Sequence, residues 1–204
     1  MKSVAIVDYG LANIRSVVNA FSCFDADIKV AAHPDDLSDA AAIVLPGVGS
    51  FDAGMRGLHQ RGHVEALDRH VRSGGRPFLG ICLGMQFLLE GSEEGQEPGL
   101  GWLRGRCRRF RGSNLKVPHI GWNEVKVADA QSLFRGMETA LDFYFAHSYY
   151  APAEDDLEHV GTASCDYGGT FVAALSSENI HAVQFHPEKS QLAGMKLIET
   201  FLSF

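Results

Sequence analysis

The sequence lacks long apolar segments. Its longest uninterrupted apolar run, Ala40–Leu45, is far shorter than the roughly 20 residues that span a bilayer. At the N-terminus, Asp8 follows the first apolar residues too early for the core of a signal peptide. We therefore expect no membrane association and a cytoplasmic location.

Basic residues are fewer than acidic ones, 18 Lys and Arg against 25 Asp and Glu, which gives a formal net charge of −7. Such a chain lacks the broad positive surface that attracts nucleic acids and anionic membranes, so we expect neither as a partner. The arginine-rich segment Arg104–Arg111 is the local exception. We interpret it as a solvated strand face, paired with the acidic loop Glu90–Gly99, or as a docking surface for a partner protein.

Cysteine pairs and cofactor motifs are absent as well. The cysteines are far apart and form no C-x-x-C pair; they are Cys23, Cys82, Cys107 and Cys165. This spacing, without an export signal, favours free thiols over disulfides. His59, His63 and His70 have helical spacing but no accompanying acidic or cysteine ligand, so we predict solvated histidines and no metal. Neither G-x-G-x-x-G nor a Walker lysine is present, and we expect no cofactor.

What is present indicates an α/β fold. With 46% hydrophobic and 21% charged residues, the chain has the composition of a globular protein, and we expect one domain over residues 1–204. The predicted strands of the first half are Ser3–Asp8, Asp27–Ala32, Ala41–Leu45 and Pro77–Ile81. The predicted helices are Asn13–Phe21 with Asn13 as N-cap, Val64–Val71, Met85–Glu90 and Gln191–Phe204. This alternation predicts a mostly parallel central sheet flanked by helices. Short apolar segments between Gly101 and Gln184 predict an antiparallel extension in the second half.

Cys82 stands out from the other cysteines. The segment Gly80–Gln86 reads G-I-C-L-G-M-Q and joins a predicted strand to a predicted helix. Glycines two residues before and after the cysteine permit the sharp turn of a nucleophile elbow, which exposes the thiol at a helix N-terminus. There the helix dipole favours the thiolate, and the N–H of Leu83 is placed to bind an oxyanion. The N–H groups of Gly47–Gly49 are suited to complete the oxyanion hole.

A cysteine nucleophile needs a base, and His186 is the strongest candidate. It lies in Phe185–Glu188, after an apolar stretch and before the last helix, where the ends of parallel strands form sites. Glu188, two residues later, is placed to hold one imidazole nitrogen while the other faces the thiol. A buried cysteine and an unrelated histidine are the plainer interpretation of each motif alone, but together the motifs favour catalysis.

These motifs resemble the triad-type, class I glutamine amidotransferases. G-I-C-L-G-M-Q and F-H-P-E carry the resemblance to the class. Four further segments are similar to the glutaminase subunits of imidazole glycerol phosphate synthases; they are Asp8–Gly10, Pro46–Phe51, Pro118–Asn123 and Phe145–Tyr149. The resemblance implies hydrolysis of L-glutamine through a cysteine thioester. Ala12 departs from the family pattern, which usually has a second glycine there.

The resemblance also implies a role for each matching residue. Cys82 is expected to be the nucleophile and His186 the acid and base, with Glu188 orienting it. The residues expected at the oxyanion and substrate side are Val48, Gly49, Leu83, Gln86, His147, Ser148 and Tyr149. The residues expected to face a partner protein are Asn13, Trp122, Asn123, Tyr144 and Lys189.

The expected partner is a cyclase subunit with a β/α barrel, in a heterodimer. Ammonia that reaches water is protonated and ceases to be a nucleophile, and the 204 residues leave no room for an acceptor domain. The family implies that the cyclase uses the ammonia to form imidazole glycerol phosphate and AICAR. It also implies slow glutamine hydrolysis until the partner carries its ligand.

Other functions stay open on the residues alone. Glutaminases for anthranilate or aminodeoxychorismate synthesis usually have His in place of Met85 and lack the G-W-N of Gly121–Asn123. A cysteine peptidase or γ-glutamyl hydrolase of similar fold would cleave γ-glutamyl peptides instead of free glutamine. A binding subunit would keep the fold without the chemistry.

Overall fold

The computed structural model describes residues 1–129, 133–153, 157 and 160–204. The helices are α1 (Ile14–Phe21), α2 (Phe51–Gln60), α3 (His63–Leu67), α4 (Leu83–Gln86) and α5 (Gln191–Leu202). The strands of the first half are β1 (Lys2–Val7), β2 (Ala26–Ala31), β3 (Ala42–Gly47), β4 (Phe78–Cys82) and β5 (Gly91–Ser92). Those of the second half are β6 (Arg106–Arg109), β7 (His119–Val127), β8 (Ala140–His147), β9 (Tyr149–Tyr150), β10 (Gly161–Asp166), β11 (Thr170–Ser177) and β12 (Ile180–Val183). Short 3₁₀ helices cover Pro34–Leu37 and Pro187–Lys189, and a π-helical turn covers Asp68–Ser73.

Most of the strands form one mixed sheet in the order β2-β1-β3-β4-β12-β11-β10-β7-β8. The pairings from β2 to β12 are parallel, and those from β12 to β8 are antiparallel. Strands β3 and β4 are buried along their whole length, as expected for parallel strands covered on both faces by helices. The predicted α/β fold, with its parallel sheet and antiparallel extension, is confirmed.

Strand β12 connects the antiparallel part of the sheet to the parallel part. It pairs in parallel with β4, with Val183 opposite Ile81. Cys82 therefore ends one strand while the segment after Val183 leaves the neighbouring strand at the same edge of the sheet. Because β4 and β12 are adjacent and parallel, the two sequence motifs singled out above meet at their carboxyl ends.

The edge strand β8 closes back on the segment that follows β12. The N–H of His186 donates to the carbonyl of Tyr144 at 2.9 Å, and the Tyr144 N–H donates to Ser190 Oγ at 3.0 Å. The rings of Phe143 and Phe185 stack with centroids 3.9 Å apart. The antiparallel half of the sheet therefore curls around an aromatic core and supports the Phe185–Ser190 segment.

Several local predictions were wrong. The helix expected at Met85–Glu90 is the single turn α4, because the following Phe87, Leu88 and Leu89 are all buried and form turns instead of one amphipathic face. His63 is buried and not solvated: Gly62, with φ of 71°, separates α2 from α3, so His59 and His63 do not share one helix face. Asn13 precedes α1 without a capping side-chain hydrogen bond. Helix α2 was not predicted.

The arginine-rich segment forms β6 and is partly paired as expected. Arg111 Nη2 lies 3.1 Å from Glu93 Oε2, which also accepts from the N–H of Arg109.

All four cysteines are free, with Cys23 exposed and the others buried. Within the described ranges, no group of three or more His, Cys, Asp or Glu side chains is arranged to hold a metal ion. None of the described helices is both long and apolar enough to cross a membrane.

Candidate active site

Cys82 occupies a strained turn between β4 and α4. Its backbone has φ of 55° and ψ of −104°, which is unusual for a residue with a side chain. The turn depends on its glycines: a Cβ on Gly84 would collide with the carbonyl of Leu45, and one on Gly80 would lie 2.8 Å from the Gly84 carbonyl. The predicted elbow is therefore present, although the helix behind it has one turn and its dipole is correspondingly small.

His186 faces the thiol of Cys82 from the end of β12. The two side chains are close enough for the charge of Cys82 to act on His186, and His186 Nδ1–H donates to Glu188 Oε1 at 2.8 Å. The His186 and Glu188 side chains are only 4% and 2% exposed. Burial alone lowers the pKa of His186, but the negative charge of the Cys82 thiolate and the carboxylate of Glu188 together raise that pKa to about 10. This geometry favours an imidazolium beside a thiolate, which can attack a carbonyl carbon and then protonate the leaving nitrogen.

A cavity of about 350 Å³ opens above the thiol. The residues predicted for the oxyanion and substrate side all line it together with Cys82 and His186; they are Val48, Gly49, Leu83, Gln86, His147, Ser148 and Tyr149. They come from the loop after β3, from α4 and from the continuous β8–β9 segment, so the fold brings three separate segments around one thiol. A volume of this order accommodates a single amino acid.

Two polar residues of the site were missed from the sequence. Glu94 lines the cavity and accepts a hydrogen bond from the Phe51 N–H at 2.8 Å, so its carboxylate is held at the cavity wall. Gln184 is fully buried, and its Nε2 lies 3.7 Å from Cys82 Sγ. The only sequence signal for Gln184 was its position next to the Phe185–Glu188 motif. Glu94 lay in a segment predicted merely as a loop.

The loop at the end of β3 lies close to the elbow. A Cβ on Gly47 would come within 2.5 Å of the Tyr9 hydroxyl and 2.7 Å of Leu83 Cβ, so only glycine permits this approach. Tyr9 is buried, its hydroxyl has no hydrogen-bond partner, and burial raises the pKa of that hydroxyl. The Val48 N–H donates to the carbonyl of Leu11 at 3.1 Å. This N–H can complete an oxyanion hole only if that hydrogen bond breaks.

Three of the residues predicted to face a partner, Trp122, Tyr144 and Lys189, contact one another and form a rim beside the cavity. Trp122 is 48% exposed, and its ring meets that of Tyr144 edge to face at 6.2 Å. Lys189 Nζ lies 5.6 Å from the Tyr144 ring centroid, within reach of a cation–π interaction, and also lines the cavity. Asn13 is exposed and borders a small space beside Glu188. Asn123 is half-buried and donates to the Asp166 carbonyl at 3.2 Å.

Comparison with known proteins decides the family. The profile of the family described as glutamine amidotransferase class-I matches residues 5–203. The chain belongs to the class I glutamine amidotransferases. This amidotransferase is 44% identical over 201 residues to imidazole glycerol phosphate synthase subunit HisH 1 of Campylobacter jejuni (strain RM1221), with 98% of each chain covered. It is 45% identical over 208 residues to subunit HisH of Geobacter sulfurreducens, again with 98% of each covered.

Solved structures agree with this amidotransferase in fold. The glutaminase domain of Trypanosoma brucei CTPS superposes with a TM-score of 0.72 at 18% identity, covering 100% of this chain and 94% of that one. PurLQS from Thermotoga maritima gives a TM-score of 0.72 at 21% identity, with 99% and 98% covered. At such low identity, these similarities concern the arrangement of the backbone alone.

Proposed function

We propose that this amidotransferase is the glutaminase subunit of an imidazole glycerol phosphate synthase. It hydrolyses L-glutamine to glutamate and ammonia through a thioester on Cys82, and the ammonia serves histidine biosynthesis. The observation that carries the proposal is the buried Cys82–His186–Glu188 arrangement at the floor of a cavity sized for an amino acid. The high identity to HisH subunits over nearly the full length supports the assignment to this branch of the family.

The first step forms the thioester. The Cys82 thiolate attacks the amide carbon of glutamine, and the carbonyl oxygen becomes an oxyanion that accepts hydrogen bonds from the N–H of Leu83 and from the Val48–Gly49 segment. The carbon–nitrogen bond then breaks, and His186 gives its proton to the departing nitrogen so that it leaves as ammonia. Glu188 stabilises the imidazolium and fixes which nitrogen faces the thiol.

The second step releases glutamate. His186, now neutral, removes a proton from water as the oxygen attacks the thioester carbon. A second oxyanion forms in the same place and collapses with cleavage of the carbon–sulfur bond, which returns Cys82 to the thiolate and His186 to the imidazolium. Losing one backbone donor to such an oxyanion typically costs about 3 kcal/mol of barrier.

Substrate recognition follows from the charges at the cavity wall. The Glu94 carboxylate is placed to pair with the α-ammonium of glutamine, and the Lys189 ammonium lines the same cavity. Ser148 and Tyr149 also line this cavity. A free amino acid, with both charges at its α-carbon, suits this lining.

The partner in this proposal is the cyclase subunit, whose β/α barrel completes a heterodimer. It accepts the ammonia to form imidazole glycerol phosphate and AICAR, so that the complex acts as a lyase while the present chain acts as a hydrolase. The HisH relatives are named as subunits of a synthase, which supports a multi-subunit enzyme. The exposed Trp122 beside Tyr144 and Lys189 supports this rim as the docking face, and residues 1–204 act as one glutaminase domain.

The test uses the complex with a cyclase subunit. Cys82→Ala is expected to reduce glutamine-dependent formation of imidazole glycerol phosphate by more than about 10³-fold, while formation from ammonium chloride is unchanged. Cys23→Ala, which removes an exposed thiol, is the control and is expected to keep both activities. Full glutamine-dependent activity in Cys82→Ala would exclude the mechanism. Cleavage of γ-glutamyl peptides in preference to glutamine would instead indicate a γ-glutamyl hydrolase.

A further inference from the structure

Two buried histidines outside the triad form a pair. His119 on β7 lies directly opposite His147 on β8, and His119 Nδ1 is 3.0 Å from His147 Nε2. The His119 ring is sandwiched between those of Tyr167 and Phe145, with centroids 3.9 and 4.8 Å away and nearly parallel planes. This packing fixes the plane of the imidazole, so its two nitrogens point in defined directions.

The hydrogen bonds on either side of the pair have a single consistent direction. His147 Nδ1 lies 2.8 Å from the carbonyl of Tyr149, which can only accept, so His147 donates there and its Nε2 is an acceptor. His119 must then donate from Nδ1, which makes its own Nε2 an acceptor. Asn123 Nδ2 supplies the donor at 3.3 Å, and the orientation of the Asn123 amide is fixed independently by the Asp166 carbonyl and the Glu124 N–H.

A second set of hydrogen bonds meets the first at the Tyr149 carbonyl, which accepts from both sides, and leads to the nucleophile. Gln86 Nε2 donates to the same Tyr149 carbonyl at 2.9 Å and to Gln184 Oε1 at 3.1 Å. Because Gln86 uses its amide hydrogens in this way, Gln184 must present its oxygen to Gln86 and its nitrogen to Cys82. The last group is therefore an N–H donor 3.7 Å from Cys82 Sγ, and such a donor favours a thiolate over a thiol.

Both histidines are neutral, as this direction requires. Burial lowers the pKa of His119 to about 4. Burial also lowers the pKa of His147 to about 3, although the hydrogen bond to the Tyr149 carbonyl acts in the opposite sense. An imidazolium at either position would have two donors and no acceptor for its partner, and the sequence of bonds would break.

We propose that Asn123, His119, His147 and Gln184 are positioning residues for the glutaminase reaction. Their side chains, with the Tyr149 carbonyl and Gln86, form a polar relay of six hydrogen bonds from Asn123 on β7 to Cys82 Sγ. This inference rests on the proposed function, since it concerns the reactivity of the same thiol. It explains how a group that does not line the cavity can influence the nucleophile.

The relay begins at the residue next to Trp122 in the chain, on the other face of β7. Asn123 follows Trp122 on β7, and alternation along the strand directs Trp122 outward and Asn123 toward His119. A partner that shifts β7 therefore moves the first donor of the relay. Since buried polar networks have few satisfactory arrangements, such a shift changes the position of Tyr149, Gln86 and Gln184 together.

The test measures the reactivity of Cys82 in the full chain without a partner. The alkylation rate of Cys82 by iodoacetamide is followed by mass spectrometry of its peptide, and the exposed Cys23 of the same molecule serves as the internal reference. Gln184→Met keeps a side chain of similar length but removes the donor. We expect the ratio of the Cys82 rate to the Cys23 rate to fall about tenfold, as for the loss of a hydrogen bond to a charged acceptor.

The end of the relay that lies far from Cys82 is tested with a substitution that preserves the shape of the Asn123 side chain. Asn123→Asp cannot donate to His119 Nε2, so it reverses the first bond of the relay, and we expect the rate ratio to fall about threefold. The control is Lys126→Gln, which makes the same change in net charge on the same strand but touches a side chain outside the relay, paired with Asp166 at 2.7 Å. It is expected to leave the ratio unchanged.

A double variant separates the relay from independent effects. Because both changes act through the same last donor, Asn123→Asp combined with Gln184→Met should be no slower than Gln184→Met alone. Additive losses, or an Asn123→Asp protein that behaves like Lys126→Gln, would overturn the relay. Thermal unfolding of each variant identifies any that fails to fold. If only the relay is wrong, the wild-type complex still hydrolyses glutamine. If the proposed function is wrong, the wild-type complex does not hydrolyse glutamine.

Discussion

The N–H of Val48, a residue that lines the cavity above Cys82, donates to the carbonyl of Leu11 at 3.1 Å and is therefore occupied. Both residues are apolar and yet exposed to solvent, Leu11 to 37% and Val48 to 38%. A partner that covers them can therefore move the two segments relative to each other. In the proposed mechanism, we expect the oxyanion hole to have one donor, at Leu83, in the isolated chain and to gain a second when this bond breaks.

The first prediction concerns the rate in isolation. Because one backbone donor is engaged elsewhere, we expect kcat for glutamine hydrolysis to be about 10²–10³-fold lower in the isolated chain than in the complex with a ligand-loaded cyclase, with little change in KM. Steady-state glutamate release with and without the partner measures the difference. An isolated chain that already matches the complex would show that Val48 N–H is not needed.

The second prediction concerns the alkaline limb of the pH profile. His186 must be protonated to assist the leaving nitrogen, and its pKa is raised to about 10 by Cys82 and Glu188 against the effect of burial. The value of kcat/KM should therefore fall as the pH rises through about 10. Glu188→Gln removes a negative charge that stabilises the imidazolium, so the limb should move to lower pH by roughly 1–3 units.

The control for this profile is Glu199→Gln on α5, whose carboxylate is exposed and paired with Lys196 at 2.7 Å. It makes the same chemical change far from the triad and should leave the limb in place. If kcat/KM of Glu188→Gln falls at the same pH as in the wild type, Glu188 does not act in the mechanism.

The third prediction concerns the elbow glycines. Gly84→Ala would drive a methyl group into the Leu45 carbonyl, and backbone on both sides cannot yield, so we expect a loss of about 3 kcal/mol or more in the free energy of unfolding. Gly75→Ala is the control: nothing lies within 4 Å of its Cβ, and its φ of +66° costs only about 1–2 kcal/mol. Urea unfolding of both variants measures the two values, and equal losses would contradict the argument.

The fourth prediction concerns the docking face. Trp122→Ala should weaken binding to the cyclase subunit by about 2–4 kcal/mol, because exposed aromatic residues at the centre of an interface contribute most of its affinity. Val30→Ala removes an apolar side chain that is 45% exposed on the opposite edge strand β2, and it should not change the affinity. Titration calorimetry with the purified partner distinguishes the two. Equal affinities would place the docking face elsewhere.

The proximity of Cys82, His186 and Glu188 could be predicted from the sequence because each of the two motifs is contiguous. Glycines around Cys82 define the elbow by themselves, and Glu188 follows His186 closely enough for one turn to bring them together. The parallel strands were equally clear, since their apolar runs are short and bounded by turn residues. Only the family resemblance, and no property of the residues alone, linked Trp122 to a partner.

What could not be predicted depends on contacts between distant segments. Nothing local marks His119 as the neighbour of His147, because that contact follows from the register of β7 against β8. Glu94 reaches the cavity only because its loop packs against the start of α2. The length of α4 was overestimated, since buried residues in irregular turns have the same apolar composition as a helix face.

The closure of β8 on Phe185–Ser190 has a consequence for solubility. An unpaired edge strand is a template for aggregation, and here both backbone groups of Tyr144 on that edge are occupied by His186 and Ser190. The segment that carries His186 thus also shields the open edge of the sheet. Substitutions that displace it, and not only those that unfold the chain, would uncover that edge and lead to intermolecular strand pairing.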